Sequence, residues 1–173
     1  NLDAEVADGD PGRVRREAVR RWDEAIGRFQ LEGATDEQKT IFATALYHSM
    51  IAPNTFSDVD GRYRGLDLET HHAEGRLHYT VFSLWDTFRA THPLLTILEP
   101  RRTEEFIQTF LAQFEQGGRL PVWELAANET DCMIGYHSVS FIADAWLKGI
   151  GGFDPELALA GMIDSATRDH FGL

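Results

Sequence analysis

Thr103-Glu104-Glu105-Phe106-Ile107-Gln108-Thr109-Phe110-Leu111-Ala112-Gln113-Phe114-Glu115-Gln116-Gly117-Gly118 decides the fold class. Phe106, Phe110, Leu111 and Phe114 fall three and four apart, so on a helix they share one face. A half-buried strand would need strict alternation, which this stretch lacks. Gly117-Gly118 supplies a residue that can enter the left-handed region, a frequent helix terminator. The stretch therefore predicts a helix beginning near Thr103, with one apolar stripe to be buried.

The same period extends outward in both directions. Towards the C-terminus, Val139, Ile142, Ala143 and Trp146 predict a helix over about Asp131 to Lys148, ended by Gly149 to Gly152. Asp154-Pro155 then opens another, with an N-cap followed by a proline at the first helical position. Towards the N-terminus, a helix is expected from about Phe82 to His92, broken or kinked at Pro93. Thr35, with Gln38 three residues on, forms a capping box for a helix carrying Ile41, Phe42, Ala45, Leu46 and Met50 and stopping before Pro53. Val14, Ala18, Trp22, Ile26 and Phe29 stripe a first helix over Arg13 to Leu31, ended by Gly33. About six helices pairing as hairpins give an all-α class, as a solenoid or a closed toroid. No repeat of fixed period is visible, which lowers the solenoid.

Composition sets the outer limits. A hydrophobic fraction of 43% in 173 residues suits one globular domain with a real core. The net charge of −12 argues against nucleic acid, since binding phosphates needs a basic surface. No apolar run approaches the roughly 20 residues of a membrane span. Cys132 is the single cysteine, so no intrachain disulfide forms. Residues 1–12 are acidic with Gly and Pro and read as a linker; they lack the basic and apolar regions of a signal peptide.

Three clusters could carry chemistry. Asn54 to His78 reads as a long loop, with a short hairpin around Tyr63 and Tyr79, and loops of that length are usually functional. Within it, Asp58 and Asp60 followed by Gly61 resemble part of a calcium loop, or make a solvated turn. In Ser83-Leu84-Trp85-Asp86-Thr87-Phe88-Arg89, Asp86 and Arg89 can pair on one helix face. The pair either stabilises a helix or, beside the Trp85 ring, grips sugar hydroxyls. The third cluster, Leu120 to Asp131, holds Trp123, Glu124, Asn128 and Glu129. A carboxyl wedged against Trp would have its pKa raised and could act as a general acid; alternatively, Asn128 or Thr130 caps the next helix. His71-His72-Ala73-Glu74 lacks the spacing of a zinc helix. His137, in Gly135-Tyr136-His137, lines a pocket or packs in the core.

In this order, the clusters resemble glycoside hydrolase family 92, the calcium-dependent exo-α-mannosidases. Tyr47-His48-Ser49 through Asn54, Phe56-Ser57-Asp58-Val59-Asp60-Gly61 and Tyr63-Arg64-Gly65 are similar to its first signature. Tyr79 to Arg89 with His92-Pro93-Leu94 is similar to the second, and Leu120 to Leu125 with Asn128 to Met133 and Gly135-Tyr136-His137 to the third. Ala127 stands where the third signature leads one to expect Gly.

The resemblance implies that residues 1–173 form a single partial domain. This would be about half, the N-terminal half, of an (α/α)6 toroid that packs against a β-sandwich domain in the full enzyme. It implies hydrolysis of terminal α-mannosides of glycans, α-1,2-linked, with inversion and with a bound Ca2+ whose ligands lie mostly beyond Leu173. The acid is Glu129 or Glu124, with Glu129, inside Asn-Glu-Thr, preferred. Asp58, Asp60, Trp85, Asp86, Arg89, Trp123, Asn128 and His137 would bind the sugar. A secreted, periplasmic or cell-surface location in a bacterium is implied. The chain alone would be inactive and prone to self-association. The competing expectation is a non-catalytic helical carbohydrate-binding or interaction module.

Overall fold

The computed structural model describes residues 2–169. About half of them are helical, and the strands are two or three residues long. The chain forms two compact units, Asn1–Ala52 and Pro53–Leu173.

The first unit holds α1 (Leu2–Glu5), α2 (Pro11–Ile26) and α3 (Asp36–Ser49). Part of the expected linker is thus ordered. The Asp10 side chain accepts from the Gly12 and Arg13 amides and caps α2, with Pro11 at the first position. Asp8 pairs with Arg13 at 2.7 Å. α2 therefore starts two residues earlier than the apolar stripe indicates, and it stops at Gly27, short of Leu31. The Thr35/Gln38 capping box forms as expected. Trp22 meets Tyr47 edge to face at 4.6 Å and joins α2 to α3.

The second unit contains the core. Its helices are α4 (Leu84–Thr87), α5 (Thr91–Leu98), α6 (Pro100–Gly117), α7 (His137–Leu147) and α8 (Pro155–Thr167). The predicted α6 stripe is its centre: Phe106, Phe110 and Leu111 are buried and Phe114 partly so, with Ile107 buried beside them. Phe82 packs edge to face on Phe106 and Phe110, and Phe110 on Phe141 of α7. Each such side chain contributes about 2–3 kcal/mol of transfer free energy. α6 ends on Gly118 at φ +77°.

Two expected helices are corrected. The Phe82–His92 helix is split, because the chain turns at Phe88–Ala90, and Pro93 does not break anything. Pro93 sits in the first turn of α5, where no intrahelical N–H is missed. The helix expected from Asp131 begins only at His137, because Asp131, Met133 and Gly135 adopt φ of +49°, +72° and +89°. No right-handed helix passes through such angles.

The irregular stretches are stitched by three antiparallel strand pairs. β1 (Asn54–Thr55) pairs with β4 (Tyr79–Thr80), and β2 (Arg62–Arg64) with β3 (Thr70–His72). Tyr63 and Tyr79 therefore lie in different pairs, not around one hairpin. β5 (Phe82–Ser83) pairs with β6 (Trp123–Glu124), matching Phe82 with Glu124 and Ser83 with Trp123. This last pair joins the second cluster to the third.

Candidate active site

Glu124 is the unusual group of the molecule. It is an acid 1% exposed, held on β6 opposite Phe82. Its Oε1 accepts from Thr80 Oγ1 at 3.0 Å and from the Ala127 amide at 2.8 Å. Its Oε2 is buried with no partner. Burial pushes its pKa up to about 7, against the opposing pull of the Ala127 and Thr80 hydrogen bonds and of the Val81 amide near the carboxyl; the Glu129 charge adds to the rise. Glu124 is thus a carboxyl that can carry a proton near neutral pH.

The backbone around it is bent into unusual shapes. Val81, between β4 and β5, has φ +69°, and Ala126 and Ala127 have φ +50° and +61°. For a β-branched residue the left-handed region is a true outlier, and such strain concentrates at working sites. At Val81 the chain leaves its pairing with β1 and enters its pairing with β6. At Ala126–Ala127 the 125–128 turn closes, with Leu125 and Asn128 exchanging backbone hydrogen bonds at 2.9 and 3.1 Å.

Glu129 behaves differently. It is half-buried, and its carboxyl accepts from the Val122, Trp123 and Asp131 amides at 2.8, 2.9 and 3.1 Å. Both oxygens therefore clamp the hairpin 122–131 from inside. Asn128 is exposed at the turn, and Thr130 Oγ1 donates to the Trp123 carbonyl, so neither caps the following helix.

The second cluster lies beside this hairpin. Trp123, half-buried, is in register with Ser83. The Ser83 hydroxyl donates to Asp86, and no ion pair joins Asp86 to Arg89: α4 ends before Arg89, so the expected helical spacing is lost. Arg89 lies 4.9 Å from the Phe88 ring centre. Phe88 stacks on His137 at 3.8 Å, which brings Arg89 and His137 together. Burial first, then the Arg89 charge, lowers the His137 pKa. Trp85 is 38% exposed.

Asp58 and Asp60 are elsewhere. They line a groove of about 540 Å3 with His72, Arg76, Arg101 and Glu105, and neither glutamate lines it. Asp60 accepts from the Arg62 backbone and guanidinium, which hold its carboxyl below the usual range. Asp58 and Asp60 thus do not share this groove with Glu124 or Glu129, although Asn54 of the first cluster pairs with Thr80, the partner of Glu124. Among the described residues, no three His, Cys, Asp or Glu side chains converge to hold a metal ion.

Thr80 is the member of the site that sequence reading misses. It stands 44 positions from Glu124, inside a strand-like Tyr-Thr-Val-Phe run, and only the β4–Val81–β5 bend brings it there.

Among curated proteins, none matches the chain by sequence. Solved structures do. The family GH92 α-mannosidase BT3965 from Bacteroides thetaiotaomicron is 36% identical, with a TM-score of 0.91 over 96% of this chain and 23% of its own. A structure of BT3965 in complex with mannoimidazole is 39% identical, with a TM-score of 0.83 over 88% of this chain and 20% of its own. The family GH92 inverting mannosidase BT2199 from Bacteroides thetaiotaomicron VPI-5482 is 36% identical, with a TM-score of 0.91 over 98% and 23%. The chain spans about a quarter of the length of these structures. Its all-α hairpins are those of the family's (α/α)6 toroid, of which it holds about half. The glycosyl hydrolase family 92 catalytic domain model matches residues 1–172, and the chain belongs to that family.

Proposed function

We propose that residues 1–173 carry the acid-bearing part of an inverting exo-α-mannosidase, with Glu124 as the proton donor. The observation that carries this reading is the buried Glu124 carboxyl, whose Oε2 has no partner and whose pKa is pushed up to about 7. Glycosidic oxygen is a poor leaving group unless it is protonated as the bond breaks. A carboxyl that keeps its proton near neutral pH meets that need, and Glu129, clamped by three amides, serves to fix the hairpin. This reverses the preference for Glu129. Glu124 is 1% exposed, so a substrate reaches Oε2 only through a local opening of the site.

Inversion needs a second carboxylate about 6.5–9.5 Å away, with room for a water. Asp131, Asp144 and Asp164 are each occupied, by Arg119, Lys148 and Arg168. The base, like the ligands of a Ca2+ that would bind sugar hydroxyls, is then assigned to segments outside this chain. Trp85 offers its face to the C–H side of mannose, with Asp86, Arg89 and His137 near its hydroxyls. The substrate would be terminal, α-1,2-linked mannose on glycans, met outside the cytoplasm: secreted, periplasmic or cell-surface. The remainder of the catalytic domain and a β-sandwich would cover apolar faces such as Trp146, Leu147 and Leu159, all exposed here. Without that cover the isolated chain is prone to self-association, and it releases no mannose.

The test is Glu124→Gln and Glu129→Gln, each carried within a complete family 92 catalytic domain. Glu124→Gln lowers turnover by roughly 10²–10⁴-fold with little change in mannoside affinity. Unchanged turnover in that variant contradicts the reading.

A further inference from the structure

Thr80 is 6% exposed and has one hydrogen to give. Its Oγ1 accepts from the Ala126 amide at 2.6 Å and lies 3.0 Å from Glu124 Oε1. With the amide hydrogen aimed at its lone pair, its own hydrogen is directed to Oε1. The Ala127 amide donates to the same oxygen at 2.8 Å. Oε1 thus receives two donors, and Oε2 receives none.

We infer that Thr80 is a positioning residue that confines the proton of Glu124 to Oε2, the one oxygen left free to hand it on. The inference rests on the reading of Glu124 as the acid. A carboxylic proton on Oε1 would face two bonded hydrogens; on Oε2 it meets no bonded donor, the Val81 amide acting on the carboxyl without closing a hydrogen bond, so the neutral group favours one tautomer and one direction of donation. The geometry is expensive to build. It uses the left-handed Val81 to turn the Thr80 side chain towards β6, and the left-handed Ala126–Ala127 pair to aim two amides at Thr80 and Glu124. Among charged groups, Glu129, on the same hairpin, acts on Glu124. β4 and β5 bring no second charge, since the Tyr79 hydroxyl is spent on Glu105 at 2.7 Å.

The test is a 13C titration of the glutamate carboxyls in the 173-residue chain, with the Glu124 signal identified by its loss in Glu124→Gln. Thr80→Val keeps the shape and removes the donor. It raises the Glu124 midpoint by roughly half a unit to one unit, because a donor to the charged form is lost. Thr80→Ser keeps the wild-type midpoint. Thr80→Cys, a weaker donor, gives a smaller rise in the same direction and serves if the valine variant does not fold. A midpoint that is the same in all these variants overturns the inference. In a complete family 92 catalytic domain, the basic limb of the pH–rate profile moves up with the midpoint in Thr80→Val, and kcat falls while KM holds. A Glu124→Gln variant with intact turnover removes the acid role itself, and the titration still judges Thr80 separately.

Discussion

Ala127 holds φ +61° at a position where the third signature leads one to expect glycine. A methyl group there costs about 1–2 kcal/mol of backbone strain, and glycine costs none. Ala127→Gly is therefore expected to stabilise the chain by about 1 kcal/mol, after allowance for glycine's greater freedom when unfolded. Urea denaturation measures this, and a loss of stability would count against the strained turn. Glu124 makes a second residue-level prediction. Its folded pKa of about 7 lies above the ordinary 4.5, so its contribution is full below pH 4.5 and is lost as pH rises through 7. The loss is about 3 kcal/mol. Glu124→Gln is free of it, so the variant should gain about that much on the wild type between about pH 4 and about pH 8. Buried His78 and His92, depressed to about 3 and about 4, lose stability in the opposite direction as pH falls, but they are common to both proteins and cancel. At this scale the sequence reading finds both glutamates and prefers Glu129, inside Asn-Glu-Thr, by a small margin. Their difference lies in which amides and hydroxyls surround each carboxyl, and Thr80 comes from 44 residues away.

At the scale of elements, most helices are legible because their signals are local. The α6 stripe, the Thr35/Gln38 box and the Asp154-Pro155 start all form where side-chain spacing and capping chemistry put them. Gly118 ends α6 at φ +77°, and a Cβ there would meet nothing within 4 Å. The cost of Gly118→Ala is thus conformational alone, about 1 kcal/mol by thermal or urea denaturation. A negligible effect would show that the α6 end is not held left-handed. The helix ends that sequence misplaces are those set by backbone geometry. Within residues 131–136, Asp131, Met133 and Gly135 adopt left-handed angles, so α7 starts late. Pro93 is a breaker in mid-helix, and harmless once the chain has already turned before Thr91.

For the whole molecule, the fold class and the family are readable in three ordered signatures, because each binds neighbours in sequence as well as in space. The β5–β6 pair joins two of them; Glu124 and Glu129 do not line the Asp58–Asp60 groove. A sequence motif names residues that belong to one family and does not say that they share one cavity. With the chain spanning 23% of its structural relatives, the base and the metal ligands are sought outside it.

The most direct measurement is the dependence of Glu124→Gln turnover on the leaving group, in a complete family 92 catalytic domain. A dinitrophenyl leaves without a proton, whereas a sugar alcohol does not. The account predicts a loss of roughly 10²–10⁴-fold on an α-mannobioside and of about tenfold at most on dinitrophenyl α-mannoside. An equal loss on both substrates, or none on either, would contradict it.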